Sequence, residues 1–174
     1  MELIKNVAYI DAANLHNGVK ELGWKFDYAR FRVWLKEKYQ IVDAYLFIGM
    51  MPKYKDLYSA LQKQGYILIF KEVTYDTKGG AKGNCDADIV VHAMRNAYEG
   101  AYDSAILISS DGDYAPLVTF LMEKNKIEAV ISPYATKKCS VLLKRTGIKI
   151  IYIADKYSIL SKRNKKAPDG DRTP

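Results

Sequence analysis

The segment AILISSDGDY, residues 105–114, decides how this chain folds. Four apolar residues run straight into a turn of small and acidic residues, the pattern of a strand buried on both faces that ends at a loop. A helical pattern over 114–124 follows it. Outward from this unit, short apolar runs recur at 7–10, 41–48, 66–70, 127–131 and 148–153, giving six candidate strands. Between them, 26–39, 53–64, 86–99 and 136–145 read as helices. Asp27 stands as an N-cap, and Gly65, Gly100 and Gly147 stand where C-caps are expected. In the 86–99 segment, Ile89, Val90, Ala93, Met94 and Ala97 form one apolar stripe at helical period. Strands alternating with helices specify an α/β domain whose central sheet is mostly parallel and about six strands wide.

The chain has 174 residues, 49% hydrophobic and 27% charged, enough for one buried core. A single domain is expected over 1–158, followed by a basic tail at 159–174 that has too few apolar residues to fold. The net charge is +7, of which +4 falls in residues 156–174. Such an excess favours a polyanionic partner. The two cysteines, Cys85 and Cys139, lie far apart with no CxxC pair, which suits a reduced, cytoplasmic setting. The N-terminus reads as a first strand rather than a secretory signal, and no apolar run approaches the roughly 18 residues of a membrane span. No membrane partner is expected. The glycine-rich segment TYDTKGGAKGN, 74–84, reads as a mobile loop.

Open α/β sheets bind ligands beyond the carboxyl ends of their strands. Four acids fall there: Asp11 at the end of the first strand, Asp86 opening a helix, and Asp111 and Asp113 after the fourth strand. Singly, Asp86 reads equally as an N-cap and Asp111 or Asp113 as turn residues. Together they crowd like charges, which a cation would relieve. Carboxylates without a Cys or His cluster are hard ligands suited to Mg²⁺ or Mn²⁺. Asn14 either supports Asp11 or caps a helix beginning near Leu15, and Ser110 either orients Asp111 or satisfies a loop backbone. Asp88 is a supporting acid or a first-turn residue favoured by the helix dipole. His92 reads as a hydrogen-bonded packing residue. Around these acids lie many bases, of which Lys78, Lys82, Lys137 and Lys138 are candidate substrate contacts. Tyr54, Tyr75, Tyr114 and Tyr134 offer stacking surfaces for unpaired bases. Without the four acids, residues 1–155 carry +7, a basic surface around an acidic centre.

In order and spacing, YIDAANLHNG, KGNCDADIVVHAM and ILISSDGDYAPLV resemble the three acidic motifs of the NYN domain, in the LabA-like branch of the PIN-like nuclease superfamily. The stretch from Ser140 through Leu143 to Asp155 resembles that family's C-terminal pattern. The resemblance implies a three-layer, Rossmann-like α/β/α sandwich and a Mg²⁺- or Mn²⁺-dependent ribonuclease that hydrolyses phosphodiester bonds with a metal-activated water. It carries the catalytic and metal-holding roles onto Asp11, Asp86, Asp111 and Asp113, with Asn14 and Ser110 as polar support. Many relatives have a further aspartate where this chain has His92, and Asp88 stands nearby to compensate. The implied partner is RNA, single-stranded for preference, and a homodimer would extend the basic groove.

Rival chemistries lack their residues. An RNA-binding or adaptor module of the same fold is the alternative that the His92 departure leaves open. A haloacid-dehalogenase-like phosphatase wants a second aspartate where Ala13 stands. GxGxxG and the phosphate-loop lysine motif are absent, and neither cysteine lies in a nucleophile motif.

Overall fold

In a computed structural model of the chain, the described residues are 5–75, 77–79, 81–82 and 84–163. Six strands form one parallel sheet: β1 (Asn6–Asp11), β2 (Ile41–Met50), β3 (Tyr66–Glu72), β6 (Ala105–Ile108), β7 (Ile127–Ser132) and β8 (Ile150–Tyr152). Between β3 and β6, β4 (Thr74–Tyr75) and β5 (Ala81–Lys82) pair antiparallel, so the expected glycine-rich loop carries a small hairpin. The helices are α1 (Ala12–Glu21), α2 (Tyr28–Tyr39), α3 (Lys55–Lys63), α4 (Asp86–Tyr98), α5 (Ala115–Glu123), α6 (Val141–Arg145) and α7 (Tyr157–Leu160). The strand order is β3-β2-β1-β6-β7-β8. The winding therefore reverses between β1 and β6, and the crevice above their carboxyl ends is where such sheets bind ligands.

Both sheet faces are covered, which explains why the strands read as continuous apolar runs rather than alternating ones. Along β1, Ala8 and Ile10 join Leu15 and Val19 of α1 and Phe31 and Leu35 of α2 in one core layer. Val7 and Tyr9 face the other way, into a layer with Ile89 and Ala93 of α4 and Leu117, Val118 and Leu121 of α5. Each large side chain buried in these layers contributes about 1.5–3 kcal/mol. Gly65, Gly100 and Gly147 take φ of 93°, 67° and 79° just past α3, α4 and α6, as C-cap positions require. Asp27 caps α2 by accepting from the Arg30 N–H at 3.1 Å.

Two boundaries differ from expectation. The helix expected over 136–145 begins only at Val141. The Lys138 and Cys139 N–H groups turn back onto the Ala135 carbonyl, and Ser140, at ψ 136°, leaves helical geometry to donate to the Ser110 carbonyl at 3.1 Å. Lys137 and Lys138 therefore sit on a turn. The packed chain also runs past 158: Leu160 is fully buried, Ser161 bridges Phe26, and the Lys162 N–H donates to the Lys25 carbonyl at 2.8 Å. Residues 164–174 of the expected tail lie outside the described residues. Among the described residues no helix is long and apolar enough to cross a membrane.

Candidate active site

Asp11 is the last residue of β1 and the N-cap of α1, its Oδ1 accepting from the Asn14 N–H at 3.0 Å. Only 8% of it is exposed. Across the winding reversal, β6 ends at Ile108 and the chain passes through buried Ser109 and Ser110 to Asp111. Asp111 caps a single 3₁₀ turn (Gly112–Tyr114), its Oδ1 accepting from the Asp113 N–H at 3.0 Å. The first residue of α4 supplies Asp86. One carboxylate oxygen each from Asp86, Asp111 and Asp113 lies within 4.8 Å of the others.

Asp11 joins this group through Tyr114, a residue sequence reasoning placed among stacking surfaces. Its ring is fully buried and cannot stack on a base. Its hydroxyl stands 2.7 Å from Asp86 Oδ1 and 3.2 Å from Asp11 Oδ2. A phenol has one proton, so it donates to one carboxylate at a time. Asn84 secures the other side of Asp86, donating from Nδ2 to Oδ2 at 2.9 Å and accepting the Asp86 N–H at 2.8 Å. Nothing in the sequence of that polar loop distinguished Asn84.

Burial pushes the Asp11 carboxyl above its ordinary range, and the nearby Asp86 and Asp111 charges push the same way against the Asn14 and Tyr114 hydrogen bonds. Burial and both carboxylates hold the Tyr114 phenol far above the range in which it would ionise. It therefore keeps its proton and acts as a hydrogen-bond donor to these carboxylates. Of the four carboxyl groups at this crevice, those of Asp86, Asp111 and Asp113 have oxygens close enough together to hold one metal ion. Burial pushes the Cys85 thiol up to about 11, the wrong direction for a nucleophile.

The expected supporting residues divide. The hydrogen bond of the Asn14 side chain goes elsewhere than to the acids: its Oδ1 accepts from the Ser110 N–H at 2.9 Å and ties α1 to the end of β6. The Ser110 hydroxyl pairs with Ser132 at 2.8 Å, whereas Ser109 is the serine that accepts the Asp111 N–H, at 3.1 Å. Asp88 points away and pairs with Lys71 at 2.7 Å. His92 packs edge-on to Phe47, with ring centres 5.3 Å apart, and its buried Nδ1 has no hydrogen-bond partner among the described residues. It is a packing residue, but not the hydrogen-bonded one expected. Lys138 is held by Glu21, and Lys78 and Lys137 are exposed on turns. Lys82 lies on β5, and its side chain is outside the described part of the structure.

A cleft of about 820 Å³ opens from this acidic group. Asp11, Asp86 and Asp111 line it together with Met51, Tyr54, Leu57 and Tyr58 from the turn after β2 and from α3.

The crevice at the winding reversal of this three-layer α/β sandwich thus gathers acidic side chains close enough together to hold a metal ion. The chain belongs to the NYN domain family: the family's model matches residues 6–146, and with it comes the PIN-like nuclease fold. A crystal structure of a protein of unknown function from Vibrio parahaemolyticus, VPA0982, has the same fold. It is 24% identical, with a TM-score of 0.73 over 92% of this chain and 99% of that one. A weaker likeness, TM-score 0.39 at 13% identity, is to Staphylococcus aureus homoserine dehydrogenase, over 88% of this chain and 33% of that enzyme. No curated protein matches by sequence.

Proposed function

We propose that this chain is a Mg²⁺- or Mn²⁺-dependent ribonuclease of the LabA-like branch of the NYN family, hydrolysing single-stranded RNA in the cytoplasm. The observation that carries this reading is the convergence of Asp86, Asp111 and Asp113 within 4.8 Å beside buried Asp11, at the mouth of an open cleft. Asp11, Asp86 and Asp111 hold the ion, directly or through water, and the exposed Asp113 completes the site from its solvent side. A divalent ion bound there supplies Lewis acidity and neutralises charge on the phosphate. The chain's own residues do the positioning. Tyr114 keeps its proton between Asp11 and Asp86 and fixes their spacing, Asn84 orients Asp86, and the Asp113 N–H orients Asp111. Exposed lysines, Lys78 and Lys137 among them, draw the polyanion toward carboxylates that would otherwise repel it.

The test is cleavage of labelled single-stranded RNA, duplex RNA and single-stranded DNA in Mn²⁺, Mg²⁺ or chelator. Asp111→Asn keeps the cap acceptor and the fold, and should abolish Mn²⁺-dependent cleavage of the single-stranded RNA. Undiminished cleavage by a pure sample of that variant overturns the assignment. Tight RNA binding by the wild type with no products at any metal concentration would identify a binding module instead.

A further inference from the structure

Holding a phosphate requires carboxylates, an ion and surrounding basic side chains, yet the same cleft is also lined by apolar side chains from the turn after β2 and from α3. There Tyr54 and Leu57 are 42% and 46% exposed beside half-buried Met51. Large apolar side chains left open together beside a site mark a surface that something covers. The wall is built in advance. The buried Tyr58 hydroxyl accepts the Met51 N–H and donates to the Gly49 carbonyl, both at 2.9 Å, which pins the turn after β2 against α3. The opening cannot simply close by collapse of that turn.

We infer that this part of the cleft is a subsite for one unpaired nucleobase of the RNA, stacked on Tyr54 and packed against Leu57 and Met51. The inference rests on the ribonuclease reading and names a feature of its substrate. The occupant follows from what the cleft joins. A ligand reaching from the carboxylates to this wall needs an anionic end and a flat apolar end, and a nucleotide has both. The volume of about 820 Å³ holds a group of that size. Asn17 and His16 on the α1 side line the same cleft and offer polar groups to a base edge. Lys53 Nζ lies 4.9 Å over the Tyr54 ring, so a base stacking there takes the opposite face or displaces this mobile ammonium, which then meets a neighbouring phosphate. Bases inside a duplex are stacked and paired, so only a single-stranded or splayed nucleotide can enter.

The experiment walks one abasic residue along an otherwise unchanged single-stranded RNA and compares wild type with Tyr54→Ala/Leu57→Ala, both exposed positions whose loss leaves the core intact. Wild-type kcat/KM should fall about 10-fold when the abasic residue occupies one position relative to the cut, the size expected for one base–aromatic stack. The double variant should show that loss on intact RNA and no further loss on the abasic one. In chelator, 2-aminopurine at that position should be quenched on binding Asp111→Asn, and not on binding Asp111→Asn/Tyr54→Ala/Leu57→Ala. Cleavage indifferent to both the abasic position and the double variant overturns the subsite while leaving the ribonuclease reading intact. A wild type that neither binds nor cuts RNA overturns both.

Discussion

The hydroxyl of Tyr114 lies 2.7 Å from Asp86 Oδ1, joining residues 28 apart in the chain. It also stands 3.2 Å from Asp11, so one phenol proton serves the buried side of the whole acidic group. Tyr114→Phe keeps the buried ring and removes only that donor. A hydrogen bond to a charged acceptor contributes about 1.5–3 kcal/mol, so the variant should be destabilised by about that amount in chelator. The deficit should shrink when Mn²⁺ is added, because a cation replaces the lost donor between the carboxylates. Unfolding in urea with and without Mn²⁺ measures both, and equal midpoints for variant and wild type would remove Tyr114 from the account.

Asp11 carries a charge that burial, Asp86 and Asp111 all oppose. Its pKa is raised in the folded state, so the native protein binds this proton more tightly than the unfolded chain does. Stability from this group is full below its unfolded pKa, about 4, and is lost as pH rises through the folded value. Asp11→Asn retains a good α1 cap and an acceptor for Tyr114 while deleting the charge. In chelator the variant should melt higher than wild type at pH 7, and the two should converge below about pH 4. Mn²⁺ should raise the wild-type melting temperature more than the variant's. A variant less stable than wild type at pH 7 in chelator would contradict the electrostatic argument.

Asp11 and Asp111 stand out in the sequence because each follows an apolar run, Asp86 and Asp113 because each stands in the first turn of an element, and the parallel topology brings such boundaries together. Tyr114 is not legible. A tyrosine opening a helical pattern looks the same whether its hydroxyl meets water or two carboxylates, and only its burial shows which. Ser109 and Ser110 are also indistinguishable in sequence, since side-chain direction at a strand end depends on where the pleat stops. The apolar wall of the cleft escapes for another reason: that Met51, Leu57 and Tyr58 line the same opening as the acids depends on how α3 packs beside β2, which no local pattern shows. The late start of α6 depends on the Ser140 bond to the Ser110 carbonyl, a contact across the sheet with no local signature.

Asp88 lies on α4 two residues from Asp86, but its carboxylate is taken by Lys71 at 2.7 Å, with both side chains substantially exposed. Solvent screens such exposed pairs, so they contribute little to stability. Asp88→Asn should therefore leave the unfolding midpoint close to that of wild type and leave metal-dependent cleavage at the wild-type rate. Titration calorimetry with Mn²⁺ should give unchanged affinity. A marked loss of affinity would return Asp88 to the acidic site, as compensation for the aspartate that His92 replaces.

Gly112 separates Asp111 from Asp113, and the reason for a glycine there is steric. A Cβ at this position would collide with the Ser140 hydroxyl and come within 3.2 Å of Ser140 Cβ and 3.1 Å of Leu142 Cδ1. Ser140 cannot retreat freely, because its N–H donates to the Ser110 carbonyl and its Oγ accepts the Leu142 N–H that starts α6, both at 3.1 Å. Gly112→Ala should cost about 1–3 kcal/mol by overpacking. The strain falls between two carboxylates, so Mn²⁺ affinity and cleavage should fall with it. Ser140→Ala in the same chain removes the colliding oxygen and forfeits the cap, worth about 1 kcal/mol. The double variant should thus regain Mn²⁺ affinity while staying less stable than wild type. If affinity stays lost when the oxygen is gone, the backbone of the turn, rather than its contact with α6, sets the spacing of the acids.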